Sequence, residues 1–468
     1  MNTYNHRGWR KKTIPLLAAA VATLVTVSVG AQALDTAQYA RPARAGVVHP
    51  FVIEFPTVPR LSFPPSTSYC LANFGIHCYQ PAQLTKAYNL DSIHAVGING
   101  YGRTIVIVDA FGSPTIRHDL HVFDQTFGLP DPPNLTIIQP AGPVPAFDPT
   151  NSDMVGWATE TTLDVEWAHV FAPGANILLV ETPVSETEGV QGFPEIVKAE
   201  NFVIDHHLGD VISQSFGATE ETFPSPASIL ALRSSFKNAA EHKVTVLGGS
   251  GDFGATNFQL NLIDLYTMRV NSWPSSDPLV TSVGGTMLTL DDLGNRLAPD
   301  VVWNDGFGAG GGGVSAVFDR PGFQDRVKSV VGTHRGTPDI SLSAAVDGAV
   351  ILYYSFVPTR VGFHLVGGTS EATPEFAGIV AMAAQLADRR LGKLGKRLYD
   401  LRGRGIIDIT KGNNTFGPFT NSDGITYTVQ GYSAGPGYDL ASGLGTIDGA
   451  RLVRALAEQE EEEEEEED

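Results

Sequence analysis

The sequence predicts an α/β fold of three layers, with a mostly parallel central sheet and helices on both faces. Three observations predict it. Short runs rich in β-branched residues, such as Thr104-Ile-Val-Ile-Val-Asp109, read as strands buried on both faces. Longer stretches with helical spacing separate them. The two kinds alternate through the first half of the chain, which implies right-handed crossovers and helices laid on both sides of the sheet.

The chain has 468 residues, 42% of them hydrophobic, and a mean hydropathy near zero. That is the composition of a globular protein with an ample core. Its 50 glycines and 30 prolines suggest many short connections. Formal net charge is −20; without the cations Arg7, Arg10, Lys11 and Lys12 and the ten acidic groups between Glu458 and Asp468, about −14 remains. No basic patch stands out, which argues against nucleic acid as a partner.

Residues 1–33 read as an export leader: His6 to Lys12 is basic, Ile14 to Val29 is apolar, and Ala31-Gln-Ala33 offers small residues at the cleavage positions. An N-terminal membrane anchor is the alternative. No other run is long and apolar enough to span a bilayer. The expected product is therefore secreted and extracellular, a monomer with no stable membrane association once the leader is removed. Residues 34–79 are rich in Pro and Ser and read as a short pro-region or extended segment. Within them, Cys70 and Cys78 are expected to close a small disulfide loop in an exported chain; two free thiols are the alternative.

Periodic structure is expected from residue 80, and one domain over 80–457. A helix over Thr115 to Phe127, closed by Gly128 and Pro130, leads to a strand over Leu135 to Ile138. A helix from Gly156 to Phe171 precedes a strand from Asn176 to Glu181. Then come a helix near Phe193 to His206, a strand from Asp210 to Gln214, a helix from Ala227 to His242 and a strand from Val244 to Leu247. The stretch from Leu260 to Gly367 reads as irregular, and that from Leu401 to Gly449 as turn-rich. The glycine run Gly306 to Gly313 lacks the Lys-Ser/Thr ending of a phosphate loop and reads as an open loop where backbone meets substrate. Residues 458–468 read as a solvated, disordered acidic tail.

In such folds the site lies beyond the carboxyl ends of the strands. Asp109, Ser215, Asp252 and Ser370 are placed there. In Val366-Gly-Gly-Thr-Ser-Glu-Ala-Thr-Pro-Glu-Phe-Ala-Gly378, two glycines allow a sharp turn, and Pro374 suits the first turn of an apolar helix from Phe376 to Leu386. Ser370 then sits before a helix N-terminus, where N–H groups favour developing negative charge. An ordinary turn with a capping serine is the plainer alternative. On the helix before Phe171, Glu160 and Asp164 are four apart and share a face with Leu163, Trp167 and Phe171 nearby. Two carboxyls close together in apolar surroundings do not both ionise easily, which suits one of them to proton transfer. A solvated face or salt-bridged pair is the alternative. Asp252, in the loop Gly248-Gly-Ser-Gly-Asp-Phe-Gly254, has three candidate roles: binding calcium, capping a turn, or donating to an oxyanion when protonated.

Together these motifs resemble the sedolisins, the serine-carboxyl peptidase family, whose fold is subtilisin-like. Ile107-Val-Asp-Ala-Phe-Gly-Ser-Pro-Thr115, Glu160-x-x-x-Asp164, Ser250-Gly-Asp252, Trp273-Pro-Ser-Ser-Asp-Pro-Leu-Val-Thr-Ser-Val-Gly-Gly-Thr286 and Gly368-Thr-Ser370 with Pro374 carry the resemblance, from Tyr79 to Leu456. It implies Ser370 as nucleophile, Glu160 as general base, Asp164 as its support, Asp252 as oxyanion donor, protein or peptide substrates, and activity that falls as Asp252 loses its proton. It also implies one structural calcium ion (Ca2+), held by the carboxylates of Asp408 and Asp439 and the carbonyls of Ile409, Gly435 and Gly437. Phe216 and Phe253 stand where the family carries a Trp and commonly a serine. A subtilisin-type triad of Asp109, His169 and Ser370 has the right chain order, but His169 lacks the expected Gly-Thr and shares the Glu160 helix. A non-catalytic binding module on the same fold is the other rival.

Overall fold

The computed structural model describes residues 53–55, 61–401 and 403–458. The expected leader, most of 34–60 and the acidic tail beyond Glu458 lie outside the described residues. Among the described residues, no helix is long and apolar enough to cross a membrane.

Eight strands form the central sheet. Their spatial order is Val301–Val302, Thr281–Met287, Thr245–Gly249, Val211–Gln214, Thr104–Ala110, Asn176–Thr182 and Leu135–Ile138, with Ile340–Ser343 also paired to Thr281–Met287. Every pairing is parallel except that of Val301–Val302. Side chains alternate between the faces of each strand, which divides the core in two. Ile105, Ile107, Ile177, Leu179, Val211 and Leu247 pack with the helices Ser152–Phe171 and Thr369–Ala387. Val106, Val108, Leu178, Val180, Ile212 and Val246 pack with Phe193–Asp205 and Ser234–Glu241 on the other side. The three layers follow from that alternation.

Three local expectations need correction. The helix read across Ala227 to His242 is two, Pro226–Ala231 and Ser234–Glu241, broken at Leu232 and Arg233. There the Arg233 guanidinium turns inward to the buried Asp277 carboxylate, at 2.5 and 2.8 Å. The stretch from Leu260 to Gly367 is less irregular than it reads. It holds Thr281–Met287 and Ile340–Ser343 of the central sheet and an antiparallel hairpin of Ala349–Tyr354 with Gly362–Gly367. The helix that carries Ser370 starts at Thr369, with Pro374 inside it rather than in its first turn.

The hairpin recruits residues from the Pro-rich region. Ile53–Glu54 pairs with Gly362–Gly367, and Cys78–Tyr79 pairs with Ala349–Tyr354. Between them Thr67–Phe74 is helical, started by the Ser66 side chain accepting from the Tyr69 N–H and stopped by Gly75. Cys70 and Cys78 form a disulfide.

Candidate active site

The Ser152–Phe171 helix begins where the Asn151 side chain accepts from the N–H groups of Asp153 and Met154, at 2.9 and 3.4 Å. From Trp157 onward every residue is buried, so Glu160 and Asp164 stand one turn apart without solvent. Burial holds the Glu160 carboxyl well above its ordinary range; Asp164 and Asp109 push the same way, and the Ser370 hydroxyl opposes them. Asp164 is raised by burial and then by Asp109, against the hydrogen bond from Ser215. Asp109, near the end of its strand, is pushed up to about 7 by burial, with Glu181 adding and Thr161 opposing. Three carboxyls thus share a dry site and cannot all ionise together.

Ser370 arrives from the opposite side. The strand Gly362–Gly367 ends at Gly368, whose φ of +137° is open to glycine and strained for other residues. The Gly368 N–H donates to Ala344 O at 2.7 Å, and the helix begins with the next residue. Ser370 is fully buried; its hydroxyl donates to the Ser215 carbonyl at 3.2 Å, and the Ser215 hydroxyl donates to Asp164 Oδ1 at 2.8 Å. Neither Glu160 oxygen has a partner in hydrogen-bond geometry, although the Ser370 hydroxyl lies close enough to favour the Glu160 anion. Proton transfer between them therefore needs the hydroxyl to swing from Ser215 to Glu160. Pro374 has no N–H to offer the Ser370 carbonyl four residues back, so that carbonyl faces the Ser215 hydroxyl at 3.5 Å.

Asp252 follows the strand Thr245–Gly249 and is also buried. The Thr369 N–H and hydroxyl donate to its Oδ1 at 2.8 and 3.0 Å. Behind this loop runs the glycine-rich segment, whose backbone meets the Asp252 loop. Ala309 N–H donates to Asp252 O at 2.9 Å, and Gly311 N–H donates to Gly251 O at 2.7 Å. A Cβ on Gly311 would lie 2.0 Å from Ser250 O, so only glycine allows this approach.

His169 stands apart. It lies nine residues beyond Glu160, or ~13 Å along the helix. Its Nε2 faces Pro130 O at 2.7 Å and Asp124 at 3.4 Å. Burial lowers the imidazole to about 4 and raises Asp124 to about 8, so the two meet as neutral groups, not as an ion pair. The Asp109–His169–Ser370 arrangement is not assembled.

No family model matches the chain. Kumamolisin of Bacillus sp. (strain MN-32) is 30% identical to it over 395 residues, 81% of this chain and 63% of kumamolisin. Tripeptidyl-peptidase 1 of Homo sapiens is 30% identical over 317 residues, 64% of this chain and 51% of that protein. Among solved structures, Pseudomonas sedolisin (serine-carboxyl proteinase) complexed with two molecules of pseudo-iodotyrostatin has a TM-score of 0.67 at 26% identity, covering 81% of this chain and 97% of that one. The chain belongs to the sedolisin family. It spans less than two thirds of the length of kumamolisin and about half that of tripeptidyl-peptidase 1.

The calcium ligands that the sedolisin resemblance implies converge on one loop. Gly437 N–H donates to Asp408 Oδ2 at 2.8 Å, and Gly435 N–H donates to Asp439 Oδ2 at 3.0 Å. Asp439 thus holds the first residue of its own five-residue segment, and Asp408 holds the middle one from outside. The carbonyls of Ile409, Gly435 and Gly437 accept no backbone hydrogen bond among the described residues. This oxygen-only donor set fits a hard cation such as calcium. Among the described residues, no group of three or more His, Cys, Asp or Glu side chains is placed to hold a metal.

A cleft of about 570 Å³ opens near the start of the Glu160 helix, lined by Asp153, Glu188, Gln191, Thr222, Leu260 and Leu262 among others. Asp153 is seven residues, ~10 Å, from Glu160 along that helix. The sequence reading passed over Glu371 and Glu375, both fully buried on the helix that carries Ser370. Their four-residue spacing inside an apolar helix is the pattern that singled out Glu160 and Asp164.

Proposed function

We propose that this chain is a secreted serine-carboxyl endopeptidase that hydrolyses peptide bonds in acid. The observation that carries the reading is a buried serine set among carboxyls with no histidine: Ser370, Ser215 and Asp164 linked by hydrogen bonds, with Glu160 beside them. Membership of the sedolisin family supports it.

In this reading the Ser370 hydroxyl attacks the peptide carbonyl while Glu160 takes its proton. Burial beside Asp164 makes Glu160 basic enough for that. Asp164, holding the remaining proton of the pair, keeps Glu160 oriented. Negative charge develops on the substrate oxygen, where the acid form of Asp252 donates. Glu160 then returns its proton to the leaving amine, and water releases the acyl group by the same path. Ser370 is closed off, so substrate entry from the nearby cleft needs an opening step. A calcium ion held by Asp408, Asp439 and the carbonyls of Ile409, Gly435 and Gly437 would fix the C-terminal loop and supply no chemistry at Ser370.

The test is the pH–rate profile on an unstructured protein substrate. An acid optimum lost in both Ser370→Ala and Glu160→Gln is expected, each with a fall of about 10³-fold or more. A neutral optimum that survives Glu160→Gln and needs His169 would point to subtilisin-type chemistry. Absence of hydrolysis at every pH, from correctly processed protein, would leave a binding module.

A further inference from the structure

We propose that the short strand Ile53–Glu54, with Phe55, is a strap that the processed protein retains, and that Glu54 is a positioning residue acting on Ser370 and Asp252 through the segments the strap fastens. The proposal deepens the peptidase reading and rests on it.

Both arms of the site meet this strap. One arm is the strand Gly362–Gly367, which runs through Gly368 into Thr369 and Ser370. The hairpin partner Ala349–Tyr354 covers one of its edges and the strap covers the other. Ile53 pairs with Gly367 and Glu54 with Val366, and the Phe55 N–H donates to Leu365 O at 2.8 Å. Leu61 continues the pairing, exchanging hydrogen bonds with Phe363 at 3.2 and 2.9 Å. The other arm is the glycine-rich segment whose Ala309 and Gly311 hold the Asp252 loop. Ile53 packs on it: a Cβ on Gly308 would lie 2.8 Å from Ile53 Cδ1. Phe55 stands edge-on to Phe307, with ring centroids 5.5 Å apart. The strap therefore touches both the chain that leads to the proposed nucleophile and the chain that backs the proposed oxyanion donor.

Glu54 fixes the strap in register. Its Oε1 accepts from the Arg360 guanidinium and from the Tyr354 hydroxyl at 3.3 Å, and lies 2.9 Å from His364 Nδ1. The His364 ring stacks on Tyr354 with 3.7 Å between centroids, and its Nε2 faces Arg360 O at 2.8 Å. All these partners belong to the hairpin and its turn. A slip of one residue would turn Glu54 to the opposite face and lose these contacts, together with the burial of Ile53 and Phe55. Without the strap, the strand that delivers Ser370 has an open edge. The Ser370 hydroxyl must swing between Ser215 and Glu160, and a misplacement of about 1 Å at a reacting group costs on the order of 100-fold in rate. The disulfide of Cys70 with Cys78 and the pairing of Cys78–Tyr79 with the hairpin tie down the other end of the same segment. Any maturation cut then falls upstream of Ile53.

Two measurements test this. Mass spectrometry of the active, processed protein under denaturing conditions is expected to find Ile53–Phe55 present; an active preparation without these residues overturns the proposal. Steady-state kinetics then compare Glu54→Ala and Glu54→Gln with Val203→Ala, a core change on the other face of the sheet, at a temperature where all are folded. Glu54→Ala is expected to lower kcat about 10-fold with KM little changed. Glu54→Gln keeps an acceptor and is expected to recover part of that loss, while Val203→Ala keeps its kcat despite a lower melting temperature. An unchanged kcat in Glu54→Ala, or one lowered only as far as in Val203→Ala, overturns the proposal; if Glu54→Ala does not fold, Ile53→Ala decides in its place. Ser370→Ala and Glu160→Gln in the same assay separate the two readings. If both are inactive and Glu54→Ala keeps its kcat, only the strap falls. If either keeps activity, the peptidase mechanism falls and this inference with it.

Discussion

Ser215 shows how much one side chain can hold. Its carbonyl accepts from Ser370 and its hydroxyl donates to Asp164, so it links those two side chains. The hydroxyl also lowers Asp164 against the larger effect of burial. Ser215→Ala leaves the carbonyl and removes the hydroxyl, and Asp164 then keeps its proton more tightly. The expected outcome is a fall in kcat of about 10- to 100-fold with KM little changed, because the lost contact orients reacting groups and does not bind substrate. Steady-state kinetics at the pH optimum check it. A rise in KM alone would place Ser215 in substrate binding.

At the level of elements, the C-terminal loop depends on two carboxylates gripping Gly435 and Gly437. An ion held by Asp408 and Asp439 would bind only the folded chain, adding stability in proportion to its occupancy. Treatment with a calcium-selective chelator is expected to lower the melting temperature by several degrees, with recovery on adding calcium and none in Asp408→Asn. A melting temperature indifferent to both treatments would remove calcium from the account. The elements also show what the sequence could reveal. Thr104–Ala110 and Asn176–Thr182 were legible because a strand buried on both faces must be continuously apolar. Ile53–Glu54 and Cys78–Tyr79 were not, since two residues carry no period and their partners lie hundreds of positions away. The start of the helix that carries Ser370 was hidden by Pro374, which ordinarily marks a first turn but here leaves a carbonyl for Ser215. Glu160 and Asp164 were found from spacing and apolar neighbours. Glu371 and Glu375 carry the same signal, but a glutamate on a helix is usually solvated, and only their burial distinguishes them.

Across the whole molecule, buried carboxyls dominate the response to pH. Burial pushes Asp109 and Glu200 up to about 7 and Asp124 and Glu188 up to about 8. In the unfolded chain such groups titrate near pH 4. The folded form therefore holds these protons more tightly. Their contribution to stability is complete below about pH 4 and is lost as pH rises through about 7 to 8. Glu54 and Asp347, lowered by His364 and Arg360 and by His77 against their own burial, act in the opposite sense and lose their contribution as pH falls. The raised group is larger. The melting temperature is expected to decline between about pH 5 and pH 8, and calorimetry over that range checks the sign. A flat or rising curve would mean that these carboxyls gain cations or water in solution.

The order of the site along the chain has a consequence for biosynthesis. The proposed base comes at Glu160, the proposed oxyanion donor at Asp252 and the proposed nucleophile at Ser370, just after a strand completed by pairing with Ile53–Glu54 far upstream. A ribosome must therefore reach Ser370 before that hydroxyl exists, and the emerging polypeptide must then close a loop of more than three hundred residues to seat it. Until that closure, the carboxyls wait in a chain with nothing to activate. On the proposed mechanism, a nascent protein built in this order has no complete cutting edge to turn on itself.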